Sequence, residues 1–350
     1  MNTITIGSIA KYIKTINNIY KSPEKIIDIL YQNNAGPFEF SQDLLEKFEK
    51  EDDAQKRKEY LSALYNEKYA YTVEFEKHIK AKRDFEQFGI QPKFKFYYRG
   101  HYSDKYLLLP SALRVFPEKE NYYYKEIITR NPNEFVGSGN LEKLVKMQHY
   151  ECPTRLLDIT SNPLVALYFA CKNTGCNRCS SARVGEVIIF ATYEEDILSF
   201  DSDKALILAS LPKFTLEEKR KISYICMEAV SKGEKSLPEN KDEIIARLYH
   251  EIRREYPAFK DIINPYDILT AFFVQPLKNN NRIIKQEGAF IICGQFYEEK
   301  SLMQKLNSFA IARIKIRNKE KLLKELDVLG INEATLFPEV DKVANYLKNR

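Results

Sequence analysis

The stretch HYECPTRLLDITSNPLVALYFAC, from His149 to Cys171, says more about the fold than any other part of the chain. It begins on a histidine, crosses Arg155 and Asp158, gathers Thr160, Ser161 and Asn162, then turns at Pro163 into eight apolar or aromatic residues. Asn before Pro is a strong helix start. The Asn side chain accepts from an orphan backbone N–H, and the N–H that proline lacks is not needed at the first helical position. Leu164 to Cys171 is apolar on every side, which predicts a buried helix. Such a start also leaves N–H groups pointing outward, a seat for a phosphate or carboxylate. Polar, reactive residues are thus expected where a loop meets the core.

Upstream, residues 3–20 read as a helix with Ile9, Tyr12, Ile13, Ile16 and Tyr20 on one face, and Pro23 to Tyr31 as a second. Residues 32–91 are dense in charge and read as one or two amphipathic, exposed helices, a scaffold or a surface for a partner protein. Lys93 to Tyr98 alternates like a strand and ends at Arg99-Gly-His101. A tyrosine-rich helix is expected near Asn121–Arg130, and another from Leu141 to Tyr150 carrying Gln148 and His149 at its end. Downstream lie a buried strand (Gly185–Thr192), a charged helical region (215–256), strands at Thr270–Val274, Arg282–Ile284, Ala289–Cys293 and Phe309–Ile316, and two closing helices. Strands so far apart in sequence must pair across one intertwined core. The expected class is α+β, with a mixed, mostly antiparallel sheet flanked by helices and preceded by a helical N-terminal part. The expected organisation is 1–31 packing on the core, 32–91 as an insertion, and 92–350 as the main domain.

Composition bounds the partners. The 350 residues hold 54 basic and 49 acidic side chains, a net charge of +5. With an isoelectric point of about 8.6, this is a mixed-charge surface without the clustered excess that marks a nucleic-acid binder. No run approaches the ~18 apolar residues of a membrane span, and the N-terminus lacks a secretory pattern. No membrane partner is expected, and six sparse cysteines favour the cytoplasm over a disulfide scaffold.

The candidate site residues each carry a plainer alternative. Arg99 at a strand end offers a planar donor fork to phosphate or carboxylate, with Gly100 allowing a ligand close to the backbone; the alternative is an ion pair with Asp158. Asp158 in turn either meets a ligand or orients Arg155 or Arg99. His149 is a base, a donor or a hydrogen-bonded core residue. A triad of Ser161, His149 and Asp158 lacks the nucleophile elbow that the chemistry needs. Cys171, Cys176 and Cys179, with Cys152 as a fourth, have thiolate spacing suited to zinc; otherwise Cys176 and Cys179 decorate a loop. If Arg282–Cys293 were one strand, Gln286 and Gly288 would share a face at the mouth of the site while Glu287 pointed the other way.

These pieces together resemble the FRG domain, a bacterial family named for a Phe-Arg-Gly motif that reads Tyr98-Arg99-Gly100 here. Leu109-Pro-Ser-Ala-Leu-Arg114, Met147-Gln-His-Tyr150, Pro153-Thr-Arg-Leu-Leu-Asp158, Asn162 to Ala170, Arg282 with Gln286 and Gly288-Ala-Phe290, and Leu336-Phe-Pro338 follow in the family's order. Tyr98 replaces the naming Phe, and Ile159 stands where Trp is common. The order Tyr-Arg-Gly, then Thr160-Ser161 before the apolar helix, then Gln286-Glu287-Gly288 is also similar to the three-part signature of ADP-ribosyltransferases. That likeness implies NAD as a substrate, with Arg99, His149, Gln286 and Glu287 in catalytic roles. It also implies ligand contacts from Arg99, His101, Arg114, Arg155, Asp158, Thr160, Ser161 and Asn162. Gly288 falls where the catalytic glutamate belongs. Two readings stay open: an NAD-using effector in bacterial defence or toxin systems, and a non-catalytic module binding a nucleotide or nucleic-acid end. Both require Arg99, His149 and the start of the apolar helix to meet at one cavity.

Overall fold

A computed structural model of the chain describes residues 4–35, 56, 77–115, 117–172, 184–260, 263–296 and 299–348. Among them, eight strands form one open sheet in the order β1-β8-β4-β2-β3-β7-β6-β5. These are β1 (Ile4–Ile6), β2 (Phe94–His101), β3 (Leu156–Thr160), β4 (Gly185–Tyr193), β5 (Leu198–Ser199), β6 (Ala271–Gln275), β7 (Gly288–Cys293) and β8 (Ala310–Ile316). The two outermost pairings, β1 with β8 and β5 with β6, are parallel, and the inner ones are antiparallel. The class is α+β with a mixed, mostly antiparallel sheet, as expected.

Period-two alternation assigns neighbours to opposite faces. Tyr98, Val187, Ile189 and Ile314 pack under the Pro163–Cys171 helix, with Ile6, Tyr12 and Ile16. Tyr97, Ile188, Phe190, Phe273 and Ile291 form the core of the other face. Phe290, Ile292 and Val274 join a larger helical core built on the Asp203–Ser210, Leu216–Ser231 and Glu243–Arg253 helices. The Pro163–Cys171 helix is buried nearly throughout, because its sequence offers no polar stripe to turn toward water.

Several local expectations need correction. The first helix is Ile9–Tyr20, capped by Ser8, and Ile4–Ile6 instead extends the sheet edge. Arg282–Ile284 is helical: Asn280 caps a short Asn281–Lys285 helix, and its side chain accepts from the Arg282 N–H. The Leu156–Thr160 segment, to which the sequence reading assigned no element, is strand β3. Most of the charged 32–91 region lies outside the described residues. Its described end is helical at 77–88 and tied to the core, with His78 Nδ1 3.0 Å from the Tyr193 hydroxyl and Lys82 paired to Asp28 at 2.7 Å. Among the described residues, no helix is long and apolar enough to cross a membrane.

Candidate functional site

The site begins as a gap in the sheet. β2 pairs with β4 from Phe94 to His101, but with β3 only at Tyr98 opposite Thr160. β3 meanwhile pairs along its whole length with β7. Beyond the Tyr98–Thr160 pairing the two strands separate, so Arg99 to His101 and Ile159 to Asp158 face a cleft instead of each other. A cavity of about 380 Å³ occupies it, in the size range of small-molecule sites. The Asn140–His149 and Asn281–Lys285 helices supply further walls.

Arg99 bridges the gap. Its Nη1 donates to the main-chain oxygen of Asp158 at 2.5 Å, a carbonyl that β2 does not pair, and lies 3.7 Å from the Asp158 carboxylate. Its Nε donates to His101 Nε2 at 3.0 Å. Gln148 Nε2 holds Asp158 Oδ2 at 2.7 Å, while Gln148 Oε1 accepts from the Thr154 hydroxyl. Burial lowers the pKa of Arg99; Asp158 opposes that shift, and the nearby charge of Arg114 adds to it. The cleft therefore strains to keep its cation and stands to gain from a bound anion. Arg114 is exposed and makes no ion pair among the described residues. His101 is 4% exposed, and burial, then Arg99, Arg313 and Arg114, push its pKa down to about 2, so the ring is neutral.

The Leu336–Glu339 segment straps the other side. Gln286 Nε2 donates to the Leu336 carbonyl at 3.0 Å, and the Arg282 guanidinium stacks 4.6 Å above the Phe337 ring. Phe337 meets Phe169 edge to face at 6.0 Å. Arg282 Nη1 donates to the His149 carbonyl at 3.1 Å, and Glu339 lies 3.5 Å from His149 Nε2. Burial and Arg282 lower the pKa of His149 against the pull of Glu339.

Seven of the residues singled out in the sequence come together here. Arg99, His101, Arg114, His149, Asp158, Thr160 and Gln286 all line the one cavity. The Thr160 hydroxyl is already engaged, donating to the Gln286 carbonyl at 2.6 Å and accepting from the Asn162 N–H.

The others are elsewhere. Arg155 is fully buried away from the cleft, forked onto Glu120 at 2.8 and 2.6 Å and donating to the Cys293 and Gly294 carbonyls. Asp158 accordingly partners Arg99 and Gln148 rather than Arg155. Ser161 and Asn162 do not line the cavity. Asn162 caps its own helix at Leu164 N, and both side chains donate to the carboxylate of Glu287, at 3.2 and 2.9 Å. Glu287 takes a left-handed backbone (φ 47°) between the Gln286 helix cap and β7, which turns its side chain from the cleft toward the helix start. The start of the apolar helix is thus occupied from within and lies outside the cavity that Arg99 and His149 share.

Gly100 lines the cavity and is also required by packing: a Cβ there would lie 2.0 Å from the Ala166 carbonyl, so the glycine admits the Pro163–Cys171 helix. Cys171 is buried in that helix, and burial pushes its thiol up to about 12, which opposes the thiolate a zinc ligand needs. Cys176 and Cys179 lie outside the described residues. Among those described, no group of three or more His, Cys, Asp or Glu side chains is placed to hold a metal.

Sequence reasoning gave no site role to Gln148, Phe337 or Glu339, and noted Arg282 only within a motif. Gln148 stands beside His149 in Met147-Gln-His-Tyr150 at the end of an amphipathic helix, and that was the available signal. The strap's signal was the Leu336-Phe-Pro338 motif, but its partners, Phe169, Arg282, Gln286 and His149, lie at least 50 residues away in the chain, so no local pattern placed it at the site.

No curated protein and no solved structure matches the chain. The family model of the FRG domain matches residues 94–178. That span contains β2, the Asn140–His149 helix, β3 and the Pro163–Cys171 helix, and so both sides of the split in the sheet. Residues 94–178 thus carry the FRG-domain match and contribute Arg99, His149 and Asp158 to the cleft, while its Asn280–Phe290 wall lies beyond the matched span.

Proposed function

We propose that the cleft binds a nucleotide or other phosphate-bearing small molecule, with Arg99 as its anchor. The observation that carries this reading is the desolvated guanidinium of Arg99 on a cavity that Arg114 and Arg282 also line, against only Asp158 and Glu151 as carboxylates. A guanidinium grips phosphate through paired N–H donors, and a partly desolvated one does so more strongly than in water. Tyr106 and Phe169, both half-buried, give the same cavity aromatic faces for a base or nicotinamide ring.

Binding without chemistry is the reading we favour over ADP-ribosyl transfer. The late glutamate that such transfer needs would be Glu287, and its carboxylate is held by Ser161 and Asn162 outside the cavity. The test is direct. NAD is titrated into the chain by calorimetry, and a parallel incubation is assayed for released nicotinamide. Arg99→Ala should weaken NAD binding by about ten- to a hundredfold, the worth of a hydrogen bond to a charged group. Steady nicotinamide release by the wild type and not by Arg99→Ala would overturn the binding-only reading. Equal NAD affinity in both proteins would remove Arg99 as the anchor.

A further inference from the structure

A second cavity shares a wall with the Arg99 cleft. Its volume is about 590 Å³, and Val145, His149 and Asn280 line both spaces. Three aromatic side chains from separate elements meet on it: Tyr150 at the end of the Asn140–His149 helix, Phe200 just after β5, and Tyr256 beyond the Glu243–Arg253 helix. They are 53%, 37% and 49% exposed. Single exposed rings are ordinary, but three around one cavity form an apolar surface of the kind that ligands cover. Tyr150 is set in place before any ligand arrives. Its hydroxyl donates to Glu134 at 3.2 Å, and its ring meets that of His149 edge-on at 4.9 Å.

The charge of the lining says what the occupant is. Glu134, Glu142, Asp201, Asp203 and Glu255 line the cavity, and none of them forms an ion pair among the described residues. Lys146 also lines it, with its ammonium bonded to the Glu134 carbonyl and the Ser138 hydroxyl. Lys143, outside the lining, feels the charges of Glu142 and Glu255 without pairing to either. Glu142 and Glu255 accept from N–H groups at the start of the Asn140–His149 helix, and Asp203 opens the Asp203–Ser210 helix. Each helix start counts for about half a positive charge, so with Lys146 about three negative charges of the lining stay uncompensated. The chain as a whole carries +5. Ring faces among carboxylates attract an organic cation through charge and quadrupole together. A metal ion suits the lining less, because among the described residues no three His, Cys, Asp or Glu side chains are placed to hold one.

We propose that this second cavity binds an aliphatic polyamine. Ammonium groups spaced along a methylene chain match carboxylates that surround a cavity without converging on one point. The methylene stretches between them cover Tyr150, Phe200 and Tyr256, which are otherwise left to water. The site does not depend on the nucleotide reading, since it shares with the Arg99 cleft only the wall of Val145, His149 and Asn280.

The test titrates spermidine into the full chain by calorimetry at low salt, where charge attraction is least screened. Binding at one site with a Kd below about 1 mM is expected. Replacing sodium by magnesium at equal ionic strength should change that Kd by less than about threefold, because a compact ion gains nothing from the rings. Phe200→Ala combined with Tyr256→Ala should weaken spermidine by about tenfold, and so should Glu134→Gln combined with Asp201→Asn. All four side chains are exposed, so these changes spare the core. Glu217, an exposed carboxylate that does not line the cavity, controls for diffuse attraction. Glu217→Gln should alter the affinity by less than about twofold. No binding at millimolar spermidine, displacement by magnesium, an affinity that either cavity pair leaves unchanged, or an equal loss in Glu217→Gln would each overturn the site. The wild-type titrations with and without magnesium keep the proposal falsifiable even if a double variant does not fold.

Discussion

Arg155→Ala separates the residues that build this domain from those that serve its cleft. Arg155 is fully buried, and its Nε and Nη2 fork onto the two oxygens of Glu120, which also accepts from Lys219 at 2.5 Å. Its Nη1 satisfies the Cys293 and Gly294 carbonyls at the end of β7. Burial works against the charge on Glu120, but Arg155 and Lys219 outweigh it and hold the carboxyl near 2. Truncation to alanine leaves that carboxylate with one partner in place of two, orphans two carbonyls and opens a void. Breaking a buried ion pair costs about 3–5 kcal/mol, and an unsatisfied buried carbonyl about 1–3. These contributions overlap, so a loss of about 5 kcal/mol is expected, a large share of the roughly 5–15 kcal/mol that holds a domain folded. The chain has no tryptophan, so urea unfolding is best followed by far-ultraviolet circular dichroism. Arg99→Ala in the same assay should lose at most about 2 kcal/mol, since Arg99 keeps 20% of its side chain exposed and its two hydrogen bonds, to the Asp158 carbonyl and His101 Nε2, are made at a cleft rather than in the core. An Arg155→Ala protein that unfolds at the wild-type midpoint, or one that stays stable and loses ligand binding, would refute this division of labour.

Two further outcomes test the packing and the charges. Gly100→Ala places a methyl 2.0 Å from the Ala166 carbonyl and 2.7 Å from Ala170 N, both backbone atoms that cannot move without the helix; a loss above about 3 kcal/mol in thermal or urea unfolding is expected. Acid should destabilise the fold in two stages. His101, depressed from 6.5 to about 2, supports the fold fully above about pH 6.5 and loses that support as pH falls, at about 1.4 kcal/mol per pH unit. Glu120, depressed from 4.5 to about 2, adds its own loss below about pH 4.5. A stability–pH curve for His101→Phe as steep as wild type between pH 6.5 and 4.5 would exclude the first stage.

The helices and most strands were legible because their signals are local. Asn162-Pro163 and the charge-free run behind it specify a buried helix whatever surrounds them. The alternation from Lys93 to Tyr98 specifies a strand with Arg99 at its end. The Arg282–Cys293 reading failed at its first half, where the Asn280 side chain accepts from Arg282 N and diverts an apolar segment into a helical turn. Glu287 followed from that error: only the turn between this helix and β7 gives it a left-handed backbone, and no strand alternation foretells it.

By itself the sequence determined the class of fold, the order of the motifs and the residue types available to the cleft, since these follow from periodicity, caps and composition. Which of those residues meet was decided only by the tertiary structure. Arg99 and Arg155 are the same side chain in similar apolar contexts, and one faces a cavity while the other is locked in a buried triad. The difference is that β2 and β3 share a single pairing and then part, whereas β3 and β7 stay paired. Strand separation depends on partners more than 50 residues away, so no local pattern encodes it.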